Sequence, residues 1–233
     1  PPIYKDLVKI INNKDNMNII ISHGHDDHLD DFFVGNYLNN SQIIISNFKS
    51  KGFLKRVSKL SNKIPIEIEQ KFSKPTKIND NFIYSFSNDG YPDDSIILIS
   101  NQNELIIHAN DNHKELPTST INEIKKISNN KKIYYFCQVG IGSAFPAGFP
   151  NLSVETRKEV IKSIHERLIG DYQKNLDKIN PDLAFAYANQ YKFDQADSLS
   201  YYDDALGMLS QQSKIKQLFP GDEIIEGRLI RNK

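Results

Sequence analysis

Apolar and polar positions along the chain follow two periods, and the switches between them mark out the elements. Asn18-Ile19-Ile20-Ile21-Ser22 is a short β-branched run that reads as a buried strand. From Leu29 to Leu38 the apolar positions 29, 32, 33, 34, 37 and 38 gather on one helical face. Gln42 to Ser46 predicts a second buried strand, and Asn47 to Leu60 a basic amphipathic helix. Ile64 to Glu69 alternates apolar and charged residues, as a half-exposed strand does. Strands follow at Phe82 to Phe86, Ser95 to Ser100 and Glu104 to Ala109, with Asn101-Gln102-Asn103 turning between the last two.

Pro117, with Ser119 and Thr120 close behind, opens a helix to about Ser128. Lys132 to Cys137 is a further buried strand. Gly140 to Pro150 holds three Gly and two Pro among aromatic residues, so it is irregular, serving either as a pocket wall or as a rigid structural loop. Ser153, with Thr156 three residues on, caps a long helix to about Lys178. Asp182 to Tyr187 reads as a strand, Leu199 to Gln211 as a helix, and Pro220-Gly221-Asp222 as a turn before a terminal strand. There is no internal repeat and no clear linker, so one α/β domain over residues 1–233 is expected.

Composition narrows the partners. Lys+Arg and Asp+Glu both total 29, giving zero formal charge, which argues against a surface devoted to nucleic acid and leaves a small molecule as the expected substrate. No apolar stretch reaches the ~18–20 residues of a membrane span, and no signal-peptide pattern opens the chain. The one cysteine, Cys137, lies in an apolar run, where it packs as a small hydrophobe rather than acting as a nucleophile. A chain without disulfides fits a reducing compartment, so a cytoplasmic location is expected.

The candidate chemistry is His23-x-His25-x-Asp27-His28, placed after a strand and before a helix. In an extended segment His23 and His25 point to the same side and can converge on one ion, while Asp27 and His28 face a neighbouring position as the chain turns. Neutral imidazole and carboxylate suit zinc, and also iron or manganese. The bland alternative is a polar strand-end loop that binds nothing. Four such side chains in six residues at the end of a buried strand are costly unless something pairs them.

This motif resembles the signature of the metallo-β-lactamase superfamily in both spacing and strand–loop–helix context. The resemblance implies an αββα sandwich with metals at one edge, His23 and His25 binding a first ion and Asp27 and His28 a second. It also implies a bridging carboxylate at a later strand end, which Asp111 in His108-Ala109-Asn110-Asp111-Asn112-His113 matches. The alternative for Asp111 is a turn or capping residue. His113 reads as a second-layer group or an added ligand, and His108 as a packed side chain. With one or two divalent ions bound, zinc first among them, the family's chemistry is attack by a metal-held hydroxide on an ester, lactone, amide or phosphodiester. Asp111 would hold that hydroxide and Asp27 would take a proton, with the ions roughly 3.5–4 Å apart.

The chain departs from the family at two ligands. No His occurs between His28 and His108, so Asn88 or Asp89 would have to stand in, or the first site is incomplete. After His113 only His165 remains, and its neighbours Ile164 and Glu166 in a long polar helix suggest a surface position; Asn189 or Asp194 is the alternative late ligand. Smaller features narrow the resemblance to UlaG-type lactonases and the catalytic-like domain of CMP-N-acetylneuraminate hydroxylases: Pro1-Pro2, Asp93-Asp94-Ser95, Asn110-Asp111-Asn112, the Ser143 to Pro150 loop and Pro220-Gly221-Asp222. One cysteine cannot build the Rieske cluster of those hydroxylases, so that reaction is not expected of this chain alone. The remaining alternative is a metal- or ligand-binding domain without turnover. The family's leading hairpin strands are not evident ahead of the first motif, which suggests a fragment, a processed chain, or a partner chain completing the sheet.

Overall fold

The first two isoleucine runs pair side by side. The computed structural model describes residues 17–87, 93–112, 114–138, 145–146, 148–187, 215–219, 222–225 and 228–231. It forms two compact units, Pro1–Asn101 and Gln102–Lys233. In the first, β1 (Asn18–Ile21) runs parallel to β2 (Gln42–Ser46), with Ile19 opposite Ile43, and β3 (Ile66–Ile68) adds parallel to β2. Parallel neighbours need a crossover. The first is α1 (Asp31–Phe33), capped by the Asp30 side chain and continuing into a π-helical turn (Val34–Leu38); the second is α2 (Gly52–Leu60).

Alternation along β2 sends its isoleucines to opposite faces. Ile43 and Ile45 pack with Leu29, Val34, Leu38 and Val57 of the helical layer. Ile44 and Ile68 instead meet Ile83 and Ile97 of three antiparallel strands, β4 (Thr76–Ile78), β5 (Asn81–Phe86) and β6 (Ile96–Ser100). A strand covered on both faces has no use for a polar side, which is why residues 43–45 read as an unbroken apolar run. Each fully buried isoleucine contributes about 1.5–3 kcal/mol, so β2, the direct neighbour of the strand that carries the histidine motif, is anchored from above and below.

In the second unit β7 (Glu104–His108), β8 (Lys132–Gln138), β9 (Leu183–Tyr187) and β10 (Ile215–Gln217) form a parallel array in that order. Two helices belong to it, α3 (Thr118–Ile127) and α4 (Val154–Ile179). The Ser153 hydroxyl accepts from the Thr156 N–H at 3.1 Å and starts α4; Asn180, in the left-handed region at φ 52°, ends it. Tyr135 stacks on Tyr172, whose hydroxyl donates to the Phe185 carbonyl at 3.0 Å. A short hairpin, β11 (Glu223–Ile225) with β12 (Arg228–Ile230), follows.

Several expectations are corrected. The helix expected from Asn47 begins only at Gly52, because the Asn47 N–H is taken by Ile68 and the Phe48 N–H by Ser46. β4 and β10, three residues each, are too short to show a period and went unread. His165 is not a surface residue but fully buried. It sits in a stripe with Ile161, Ile169 and Tyr172 at helical spacing, which its sequence neighbours Ile164 and Glu166 conceal. Cys137 is buried as expected, and burial, then the Asp111 carboxylate, pushes its thiol far above the ordinary range. The helix expected at 199–211, most of the Gly140 to Pro150 loop's first half, Pro1-Pro2 and Pro220-Gly221 lie outside the described residues. Among the described residues no helix is long and apolar enough to cross a membrane.

Candidate metal centre

The histidine motif occupies the point where β1 stops and the chain reverses. Beyond Ile21, Ser22 and His23 continue inward and are buried. The His25 carbonyl then accepts from the N–H groups of both His28 and Leu29, at 3.0 and 2.8 Å, which bends the segment into a tight turn. That turn brings three imidazoles together. The ring centroids of His23 and His28 lie 4.1 Å apart and those of His23 and His25 4.6 Å apart. His23 Nε2 is 2.9 Å from His25 Nδ1, and ring nitrogens of His23 and His28 fall within 4.8 Å of each other. Asp27 stands at the exposed rim with Oδ2 3.6 Å from His28 Nε2. His23 therefore meets both His25 and His28, while the recorded contact of Asp27 within the motif is with His28.

Two ring nitrogens 2.9 Å apart can coexist only if one carries a proton toward the other, or if a cation lies between their lone pairs. His23 Nδ1 indicates which atom accepts. It lies 3.2 Å from Asp94 Oδ1 and 3.0 Å from Ser22 Oγ, all in buried surroundings. A carboxylate at that distance favours the tautomer that carries its proton on Nδ1, which leaves the Nε2 lone pair directed at His25. A carboxylate behind an imidazole is the arrangement that orients metal-binding histidines and raises their basicity. The donor set thus fits a divalent cation.

Two supports were not identified from the sequence. The first is a chain of hydroxyls beneath the strand end: Ser95 donates to the Ser22 carbonyl at 2.7 Å, and Ser46 donates to Ser95 at 2.8 Å. The available signal was serines at the ends of otherwise apolar strands. The second is Arg56 on α2. Its Nη1 donates to the Gly24 carbonyl at 2.7 Å, Nη2 to the Leu29 carbonyl at 3.0 Å and to Asp26 at 2.8 Å, and Nε to Asp31 at 2.7 Å. One guanidinium therefore ties both ends of the motif loop, and the carboxylates of Asp26, then Asp31, hold its pKa above the ordinary value.

Asp111 lies in the second unit, half-buried in the turn after β7. Asn110 before it takes a left-handed conformation at φ 52°, and Asn112 N–H closes the turn onto the Ala109 carbonyl at 3.0 Å. His108 stacks against Phe136 and has Nδ1 3.4 Å from the Tyr187 hydroxyl, in keeping with a packed role. His113, Asn88, Asp89, Asn189 and Asp194 lie outside the described residues.

The α/β architecture carries, at a strand end, a histidine cluster whose donor atoms could hold a metal ion. No family model matches the sequence. No curated protein matches it either. Solved structures do. The isothiocyanate hydrolase from Delia radicum gut bacteria aligns at a TM-score of 0.52 and 10% identity, over 97% of this chain and 79% of that one. A possible metal-dependent hydrolase from Veillonella parvula DSM 2008 aligns at 0.50 and 11% identity, over 95% and 78%. The metallo-β-lactamase fold protein YhfI from Bacillus subtilis aligns at 0.47 and 13% identity, over 88% and 76%. At such identities the likeness speaks for the fold alone. The fold class expected from the sequence is met: mixed sheets with helices, α/β, an architecture shared with two solved hydrolases at TM-scores of 0.52 and 0.50.

Proposed function

We propose that this chain is a metal-dependent hydrolase of the metallo-β-lactamase superfamily, holding a divalent cation through His23, His25, Asp27, His28 and Asp111. The observation that carries the reading is the convergence of three imidazoles at the end of β1, with His23 Nε2 and His25 Nδ1 only 2.9 Å apart. The motif's spacing and the fold shared with solved hydrolases support it. Zinc is the proposed ion, with iron and manganese compatible with the same donors. A cation there supplies an activated water at neutral pH and polarises the substrate's oxygen.

The chain's own residues divide the remaining work. His23, buried and backed by Asp94, is the fixed ligand. His25 and Asp27 stand at the exposed rim, where Asp27 can accept a proton from an incoming group. Asp111 would add a carboxylate to the donor set, an assignment that rests on its match to the family's strand-end position. The substrate is a small ester, lactone, amide or phosphodiester, and the UlaG-like branch is part of the same proposal. A second reading, a binding domain without turnover, is favoured by one observation: no His falls between His28 and His108 to supply the family's further ligand.

Elemental analysis of purified protein and of His25→Ala tests the proposal. Wild type should retain metal and cleave a member of a generic ester and phosphodiester panel in a chelator-sensitive way; the variant should lose most of its metal while remaining folded. Metal uptake without any turnover would select the binding reading, and no uptake of zinc, iron or manganese would remove both.

A further inference from the structure

Beside His25 the first unit holds a half-open pocket of about 290 Å³, walled by Gly24, Phe48, Ser50, Gly52, Phe53 and Arg56. Its size lies at the small end of ligand pockets, enough for a ring-sized group and not for a polymer. The Phe48 and Phe53 rings sit 5.8 Å apart and tilted by 44°, giving the cavity an aromatic wall. Phe53 presses on the motif itself: a Cβ at Gly24 would come within 3.1 Å of its ring. A group seated against Phe53 therefore lies next to the backbone between His23 and His25.

We infer that this cavity receives an uncharged, apolar portion of the substrate and so directs the centre toward neutral esters, lactones or amides rather than phosphodiesters. The inference rests on the metal-hydrolase reading above. Among the described lining residues Arg56 is the one permanent cation, and four of its five N–H donors are already committed to Gly24, Leu29, Asp26 and Asp31. Its charge is answered by Asp26 and Asp31, which stand outside the pocket, and Asp93 is the carboxylate of the lining itself. A guanidinium already paired twice, with a carboxylate beside it, disfavours an anion in this space, while aromatic faces and two side-chain-free glycines favour an apolar group.

The experiment titrates 15N-labelled protein with phenylacetone, a neutral benzyl ketone that cannot be hydrolysed, and separately with dimethyl phosphate. The Gly24 amide is followed, and metal content is measured on the same samples. Gly52→Leu fills the cavity at little cost, since a Cβ there meets nothing nearer than Ser50 Oγ at 3.6 Å and leucine suits a helix better than glycine. Phenylacetone should shift Gly24 in wild type, bind at least about tenfold more weakly to Gly52→Leu (a loss of about 1.4 kcal/mol), and leave metal content equal in both. Phe53→Leu, which removes one ring face, should weaken it in the same direction. Equal or tighter binding of dimethyl phosphate, or unaltered phenylacetone binding in Gly52→Leu, overturns the inference. Phenylacetone binding blocked by Gly52→Leu in a protein that takes up no metal supports the cavity assignment and sinks the hydrolase reading instead.

Discussion

Replacing Asp94 by alanine removes the carboxylate 3.2 Å behind His23 while leaving every residue of the His-Gly-His-Asp-Asp-His segment in place. The loss has two parts. Nδ1 loses the negative charge that favours a proton there, and the ring loses a neighbour that favours one orientation toward the cluster. Removing such a partner typically costs 10–100-fold in metal affinity, which is about 1.4–2.7 kcal/mol. Ser22 Oγ, 3.0 Å from the same nitrogen, can still accept its proton and holds the expected loss near the lower end, about tenfold. Asp94→Asn keeps a neutral acceptor and should lose less, and Asp94→Ala with Ser22→Ala should approach the upper end. The assay is competition for zinc against a chromophoric chelator, with thermal melting of the metal-free proteins as the control for folding. A merely structural role for Asp94 would lower the metal-free melting temperature and leave zinc affinity within twofold of wild type; that result refutes the tautomer argument.

Three further outcomes follow from the same geometry. Arg56→Gln should destabilise the metal-free protein by about 1–2 kcal/mol, with Arg56→Lys rescuing little because an ammonium cannot span Gly24, Leu29 and two carboxylates at once; chemical denaturation reads the first, and zinc affinity of both variants reads the loosening of the loop. Gly24→Ala forces a methyl to 3.1 Å from the Phe53 ring, so it should cost about 1–3 kcal/mol in a melt and narrow the neighbouring cavity. Cys137, buried and with its thiol pushed well above the ordinary range, should resist iodoacetamide in the native protein and label only after unfolding; rapid labelling at neutral pH would contradict its burial.

What the sequence reveals here depends on how local the cause is. β1 and β2 are legible because their isoleucines pack on both faces, fully buried in β2 and partly in β1, and a continuous apolar run records that directly. The helix start at Ser153 is legible because its cap acts within three residues. Asp94 is a different case: it lies 71 positions from His23 and meets it only because the antiparallel strands pack under the parallel ones. His165 misleads for a related reason, since a helix face is decided by residues three and four away rather than by the adjacent ones.

The site itself combines both kinds of cause, and they set different properties. Spacing within the motif supplies the donor atoms, which is why their convergence could be read from six residues. Long-range partners decide how those donors are held: Asp94 and Ser22 fix the His23 ring, the serine chain holds the strand end, and Arg56 clasps the turn from α2. Donor identity bounds which ions can bind, whereas the holding bounds how tightly, because a ligand already in its bound orientation does not spend binding energy on being ordered. His23 is buried and fixed while His25 and Asp27 are exposed at the rim. Affinity should therefore respond more strongly to the groups behind His23 than to conservative changes around the exposed Asp26, although Asp26 lies inside the motif and Asp94 far outside it.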